Sequence, residues 1–124
     1  MMKKKILIVE DNEQNLYLAT FLLEKHDYDV IQARNGQQGL DLAASKNPDL
    51  ILLDINLPVM DGHEVARRLK VAEETKSIPV VAVTSYAMAG DREAVLAAGC
   101  EGYIEKPIDP DSFVEQVQKF LPQG

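Results

Sequence analysis

The chain has 124 residues, of which 20 are acidic and 13 basic, so its formal net charge is −7 at pH 7. This length is typical of one domain, and a composition of 46% hydrophobic and 27% charged residues excludes a disordered chain. The acidic balance disfavours nucleic acid and anionic membrane surfaces as partners, because both require basic protein faces. The single cysteine, Cys100, excludes an internal disulfide and is typical of the reducing cytoplasm.

The first half of the chain alternates short apolar runs with helical patterns. Residues 6–9 and 50–53 are continuous apolar runs, as expected for strands buried on both faces of a parallel sheet. The first run is too short for a secretory signal, whose core needs about 7–15 apolar residues. A weaker strand fits residues 28–33. Helices are expected after Asn12, which can cap a helix, and around residues 40–44.

The second half continues the same alternation of helical and strand patterns. The expected elements are a helix over 65–72, entered through Asp61-Gly62, a buried strand at 80–83, a helix over 91–98 closed by Gly99, a strand at 102–105, and a helix over 113–121 ended by Pro122.

This alternation predicts an α/β fold in one domain over residues 1–124. Strands that alternate with helices form a parallel sheet with helices on both faces and right-handed crossovers. We therefore expect a doubly wound, flavodoxin-like sheet of five parallel strands in the order 2-1-3-4-5, with five helices.

Polar side chains stand at the carboxyl ends of the predicted strands, and such ends meet at the ligand-binding edge of this kind of sheet. They are three acids, a hydroxyl and an ammonium group: Glu10 and Asp11 after the first strand, Asp54 after the third, Thr84 after the fourth and Lys106 after the fifth. We expect these five side chains to form a single site.

Three carboxylates in one site repel, since two like charges ~4 Å apart cost about 4 kcal/mol at an effective dielectric constant of about 20. Lys106 compensates one charge, and a divalent cation would compensate the others. The candidate ligands are hard oxygens, which favours Mg²⁺, Mn²⁺ or Ca²⁺ over zinc. A carboxylate beside such a cation, a hydroxyl and a lysine indicates phosphoryl transfer onto Asp54, with Lys106 and Thr84 stabilising the phosphoryl oxygens.

Taken together, these residues resemble the receiver domains of bacterial two-component response regulators. The motifs that carry the resemblance are Glu10-Asp11-Asn12, Asp54 with Leu57-Pro58 and Asp61-Gly62, Thr84-Ser85, and Lys106-Pro107. The resemblance covers essentially the whole chain. It implies that Asp54 is the phosphoacceptor, that Asp11 is the main metal ligand with Glu10 as the second acid, and that Asn56 donates a backbone carbonyl to the metal.

The resemblance also implies a switch and its partners. Thr84 and Tyr103 would form the switch pair, and Lys106 would be the family's invariant lysine, joined to Pro107 by a cis peptide bond. The implied cofactor is Mg²⁺, with Mn²⁺ as the alternative. The implied donor is a histidine kinase or a histidine phosphotransfer protein, and a downstream effector protein would read the face made by the fourth helix, fifth strand and fifth helix. The chain would catalyse only its own phosphorylation and slow dephosphorylation.

Several alternatives stay open. Residues 10–15, 87–91 and 99–103 are similar to single-domain cell-division regulators, but receivers cut from hybrid histidine kinases share them. A phosphorylation-independent adaptor would not need the full set of acids, hydroxyl and lysine. A haloacid dehalogenase-type hydrolase needs a second acid where this chain has Asn56. A flavodoxin-like electron carrier needs a Ser/Thr/Gly-rich phosphate loop after the first strand, where this chain has acids.

Overall fold

The computed structural model describes residues 3–85 and 89–121, which alternate strictly between strands and helices. The strands are β1 (Lys5–Val9), β2 (Asp29–Ala33), β3 (Leu50–Asp54), β4 (Val80–Thr84) and β5 (Gly102–Glu105). The helices are α1 (Glu13–Lys25), α2 (Gly36–Lys46), α3 (Gly62–Val71), α4 (Ala89–Ala97) and α5 (Phe113–Gln118). Residues 87 and 88 of the subgroup motif, and the predicted helix stop at Pro122, lie outside the described residues. Among the described helices, none is long and apolar enough to cross a membrane.

All five strands pair in parallel in the order β2-β1-β3-β4-β5, which confirms the predicted topology. Parallel strands need crossover connections, and α1 to α4 each supply one between successive strands, whereas α5 follows the last strand. β1, β3 and β4 are interior strands, whereas β2 and β5 form the two edges of the sheet. Because the strands are parallel, the residues that follow all five meet at the same edge.

The sheet separates two hydrophobic layers. Leu7 and Val9 of β1 pack with side chains of α2, α3 and α4 on one face, while Ile6 and Ile8 pack with α1 and α5 on the other. Every residue of β3 and β4 is buried, because helices cover both faces. This double burial explains why these strands read as continuous apolar runs rather than as alternating patterns.

The last helix is shorter than the sequence pattern predicts. We expected helix through Leu121, but α5 ends at Gln118. The N–H groups of Phe120 and Leu121 instead bond to carbonyls three residues earlier, which tightens the final turn. Both side chains still pack against the core layer under α1 and α5. The apolar spacing therefore reported burial correctly but not the backbone conformation.

Candidate functional site

Two neighbouring interior strands, β1 and β3, hold the acidic part of the site. Their register pairs Val9 with Leu53, so the following residues, Glu10 and Asp54, lie side by side at the carboxyl edge. The Glu10 N–H donates to the Ala33 carbonyl at 2.9 Å, which continues the strand pairing by one residue. Glu10 is 4% exposed and Asp54 is 3% exposed. The fold thus buries two neighbouring carboxyl groups at one point.

Asp11 completes an acidic cluster with Glu10 and Asp54. One carboxylate oxygen from each residue lies within 4.8 Å of the other two. Asp11 is exposed, so the cluster opens to solvent on its side. Ligand oxygens at ~2.1 Å from one Mg²⁺ ion stand roughly 3–4 Å apart, and Mg²⁺ usually takes one or two carboxylates and keeps several waters. The oxygen donors, grouped within 4.8 Å of one another, and the open side would suit a hydrated Mg²⁺ ion that binds some of the acids directly and the others through water.

Lys106 is the cation that faces these acids. Its Nζ lies 2.9 Å from Glu10 Oε1 and 3.3 Å from Asp54 Oδ1, and its side chain is 13% exposed. The Lys106 N–H donates to the Thr84 carbonyl at 2.8 Å, which holds the residue at the end of β4. The peptide bond from Lys106 to Pro107 is cis. One ammonium group therefore spans two of the three acids.

The electrostatics of the cluster follow from this crowding. Burial and a side-chain hydrogen bond with Asp54 raise the pKa of Glu10 to about 7, although Lys106 acts in the opposite direction. Burial alone would lower the pKa of Lys106, but its contacts with Glu10 and Asp54 outweigh burial and raise it. Lys106 thus stays charged, but its single positive charge is fewer than the three acidic groups around it.

Backbone contacts orient the Asp54 side chain. The Asn56 N–H donates to Asp54 Oδ1 at 3.0 Å. Close by, the N–H of Gly62 donates to the Ile55 carbonyl at 3.0 Å, and a Cβ at Gly62 would lie 2.7 Å from the Asp54 carbonyl oxygen. Only glycine permits this approach, so Gly62 positions the strand end that carries Asp54. Sequence analysis treated Asp61-Gly62 as a helix entry and a family motif and missed this role.

The other predicted site residues lie at or near the carboxyl ends of β3, β4 and β5. Thr84 ends β4 and is 3% exposed. Asn56 is exposed in the segment after β3. Tyr103 lies on β5, half-buried, with the Arg92 guanidinium carbon 5.1 Å from its ring centroid. Sequence analysis missed Arg92, because nothing in a helical pattern shows which charged side chain crosses to a strand.

A comparison with protein-family models decides the family. Residues 6–118 match the model described as the response regulator receiver domain, a range that includes all five helices and all five strands except Lys5, the first residue of β1. The chain belongs to the response regulator receiver family. The resemblance stated from the strand-end motifs is thereby confirmed.

Similar proteins agree with this family. The receiver is 48% identical over 120 residues to the polar-differentiation response regulator DivK of Brucella anthropi, an alignment that covers 97% of this chain and 98% of that one. DivK of Brucella ovis is equally similar. Among solved structures, Vibrio cholerae chemotaxis protein CheY4 matches with a TM-score of 0.92 at 26% identity, covering 97% of this chain and 100% of that one. The receiver domain of a Pseudomonas aeruginosa sensor histidine kinase, solved with magnesium in its active site cleft, matches with a TM-score of 0.87 at 33% identity over 96% of this chain and 98% of that one.

Proposed function

We propose that the protein is a phosphoryl-accepting signalling switch in which Asp54 takes a phosphoryl group from a phosphohistidine. The observation that carries this proposal is the placement of the Asp54 carboxylate, which is buried among two further acids and 3.3 Å from the Lys106 ammonium group. A carboxylate in that setting has a cation on one side and a fitting Mg²⁺ site on the other. The 124 residues would act as one receiver unit.

Glu10, Asp11 and Asp54 would hold the metal ion through their carboxylates, and Asn56 through its backbone carbonyl. A bound Mg²⁺ would supply positive charge to the phosphoryl oxygens. The spacing of the three acidic oxygens supports this assignment, as does the magnesium described for the Pseudomonas aeruginosa receiver domain.

The chain's own residues would carry the transfer mainly by position and charge. An Asp54 carboxylate oxygen forms a bond to phosphorus while the bond from phosphorus to the donor's imidazole nitrogen breaks, and the imidazole leaves with the electron pair. Lys106 Nζ and the Thr84 hydroxyl stabilise the phosphoryl oxygens as negative charge builds on them. The donor would be a histidine kinase or a histidine phosphotransfer protein. The chain would act on no other substrate.

The phosphoryl group would then change the conformation that partners bind. Charge-assisted hydrogen bonds contribute about 1.5–3 kcal/mol each, and moving an equilibrium from 1:99 to 99:1 needs about 5.5 kcal/mol. Two or three such contacts, including those from Lys106 and Thr84 to the phosphoryl group, are thus sufficient in size. Movement of Thr84 would let Tyr103 reorient, and an effector protein would read the face formed by α4, β5 and α5. The proposed location is the cytoplasm, which the single cysteine supports.

The test replaces Asp54 with asparagine, which keeps the shape of the side chain and removes the nucleophilic carboxylate. Wild-type protein with Mg²⁺ should take up label from acetyl phosphate and from a phosphohistidine protein, as an acyl phosphate that hydroxylamine releases. Asp54→Asn should take up none. Asp41→Asn, an exposed acid on α2, is the matched control and should label like the wild type.

Full labelling of Asp54→Asn would disprove the acceptor assignment. If neither donor labels the wild type, and partners bind donor-treated and untreated protein equally well, a phosphorylation-independent adaptor would be favoured instead. The proposal applies both to a single-domain regulator and to a receiver of a hybrid histidine kinase, because DivK and the sensor-kinase receiver each align with nearly the whole chain.

A further inference from the structure

Arg92 on α4 contacts two side chains of β5 at once. Its guanidinium carbon lies 5.1 Å from the centre of the Tyr103 ring, and its Nη2 lies 3.8 Å from Glu105 Oε1. Tyr103 and Glu105 are two residues apart in a strand, so they project from the same face of the sheet. One planar cation thus connects α4 to both side chains.

These contacts lie next to the proposed switch. Glu105 pairs in register with Thr84, and Lys106, which spans Glu10 and Asp54, is the residue after Glu105. β5 is an edge strand whose strand pairing is with β4. Side-chain contacts from α4 therefore add to the strand pairing that holds this face of β5 in place.

The contacts are strong enough to favour one conformation of β5 but too weak to fix it. An exposed cation–π contact and a half-exposed ion pair are each weak interactions, and the Arg92 and Glu105 side chains are 47% and 60% exposed. Together they would shift a two-state equilibrium by about threefold to fivefold, which phosphorylation can overcome.

We propose that Arg92 is a positioning residue that holds Tyr103 and Glu105 in the resting conformation and releases Tyr103 when the switch operates. This proposal rests on the proposed function, since it requires that Tyr103 moves. Arg92 touches none of the acids of the phosphoryl site described above, so its effect is on the conformational equilibrium and not on the chemistry. Loss of the contact makes the phosphorylated-like conformation easier to reach.

The experiment measures the affinity of the intact protein for beryllofluoride, a phosphoryl mimic, in the presence of Mg²⁺ by fluorine NMR. Arg92→Met keeps the length of the side chain and removes the cation. This variant should bind the mimic about threefold to fivefold more tightly than the wild type, because binding no longer requires the Arg92 contact of the resting conformation to break. Arg92→Lys keeps the charge without the planar group and should fall between the two.

A double-mutant cycle with Tyr103→Leu separates positioning from a general structural effect. If Arg92 acts through the ring, Arg92→Met should raise the affinity much less in the Tyr103→Leu background than in the wild type. Glu105→Gln measures the contribution of the ion pair alone. Urea unfolding of each variant shows whether its fold is retained. Because the Arg92 side chain is half-exposed, Arg92→Met should unfold at nearly the same urea concentration as the wild type. Arg92→Lys provides the comparison if Arg92→Met is unstable.

Unchanged or weaker mimic binding by Arg92→Met, with normal binding by the wild type, would overturn the proposal for Arg92. An equal increase with and without the Tyr103 ring would overturn it as well. Absence of mimic binding by the wild type would instead count against the proposed function, so the two failures are distinguishable.

Discussion

Two lysines of similar exposure lie at opposite edges of the sheet, and their surroundings differ. Lys70 of α3, whose side chain is 18% exposed, lies at the amino edge, where its Nζ donates to the Ile78 carbonyl at 2.7 Å and to Glu101 Oε1 at 2.9 Å. The other oxygen of Glu101 accepts the Val80 N–H at 2.6 Å. This cluster has one positive and one negative group, and backbone partners complete its hydrogen bonds.

The cluster at the carboxyl edge is unbalanced by comparison. Lys106 is 13% exposed, but it faces Glu10 and Asp54, and Asp11 lies close to both. Three acids share one lysine, and burial raises the pKa of Glu10 to about 7. Residue type and burial therefore do not separate a structural cluster from a candidate functional one. The balance of charge does, because an excess of one sign leaves the site able to gain from a cation.

If the amino-edge cluster is structural, its loss should have the largest effect on stability. Lys70→Met leaves the Glu101 carboxylate and the Ile78 carbonyl without their cation and should lower the free energy of unfolding by about 3 kcal/mol, measured by urea unfolding. Lys76→Met, which removes an exposed lysine paired with Glu73, should cost under about 1 kcal/mol. Equal costs for the two variants would contradict the structural assignment of Lys70.

If the carboxyl-edge cluster gains from a cation, Mg²⁺ should stabilise the fold. At 100 times its dissociation constant the ion should add about 2.7 kcal/mol to the free energy of unfolding. Asp11→Asn removes a ligand and should lose most of this gain at the same Mg²⁺ concentration. Glu74→Gln, an exposed acid outside the cluster, is the control and should keep the gain. A gain of equal size in Asp11→Asn would show that the ion binds elsewhere.

Cys100 reports on the amino edge through the pH dependence of stability. Burial, and then the charge of Glu101, raise the pKa of its thiol from 9.0 to about 12. The folded state therefore keeps a proton that the unfolded chain loses above pH 9, and stability falls as pH rises through this range. Between pH 7 and pH 10 the wild type should lose about 1.4 kcal/mol more than Cys100→Ala in urea unfolding. Parallel curves for the two proteins would show that the thiol titrates normally in the folded state.

The smallest effect concerns the charge that Lys106 itself brings to the metal site. Lys106→Met removes a positive charge beside the proposed cation and should raise the affinity for Mg²⁺ about fivefold, because repulsion on the order of 1 kcal/mol is lost. Calorimetric titration with Mg²⁺ measures this change. Lys70→Met should bind Mg²⁺ like the wild type, since it lies at the other edge. Weaker binding by Lys106→Met would mean that Lys106 organises the acids rather than opposing the ion.

The sheet order and the neighbours of Asp54 follow from the sequence for one physical reason. Continuous apolar runs mark doubly buried strands, and parallel strands bring the residues after them to one edge, so Glu10, Asp11 and Lys106 could be expected near Asp54. That inference needs only strand ends, whose positions the runs define within a residue or so. The end of α5 was wrong by three residues, because Leu121 is buried without being helical.

Contacts made by long side chains could not be predicted in the same way. Lys70 lies within a helix, where its spacing is that of an ordinary surface lysine, and its partners include main-chain carbonyls that every residue has. Its acidic partner, Glu101, is 31 residues away, between α4 and β5. The contact of Arg92 with Tyr103 could not be predicted for the same reason, since it depends on how α4 lies against the sheet. Periodicity reports burial and direction, but not the reach of a flexible side chain.

The position of β5 in the sheet has a mechanical consequence. Asp54 ends β3, which is paired on both sides, whereas Tyr103 lies on the four-residue β5, which is paired with β4 alone. Displacing β3 would disrupt two ladders of main-chain hydrogen bonds, but displacing β5 would disrupt one. The chain therefore anchors Asp54, the proposed phosphoacceptor, in a strand that is paired on both sides, and it carries Tyr103 on the edge strand, which deforms at a lower energetic cost.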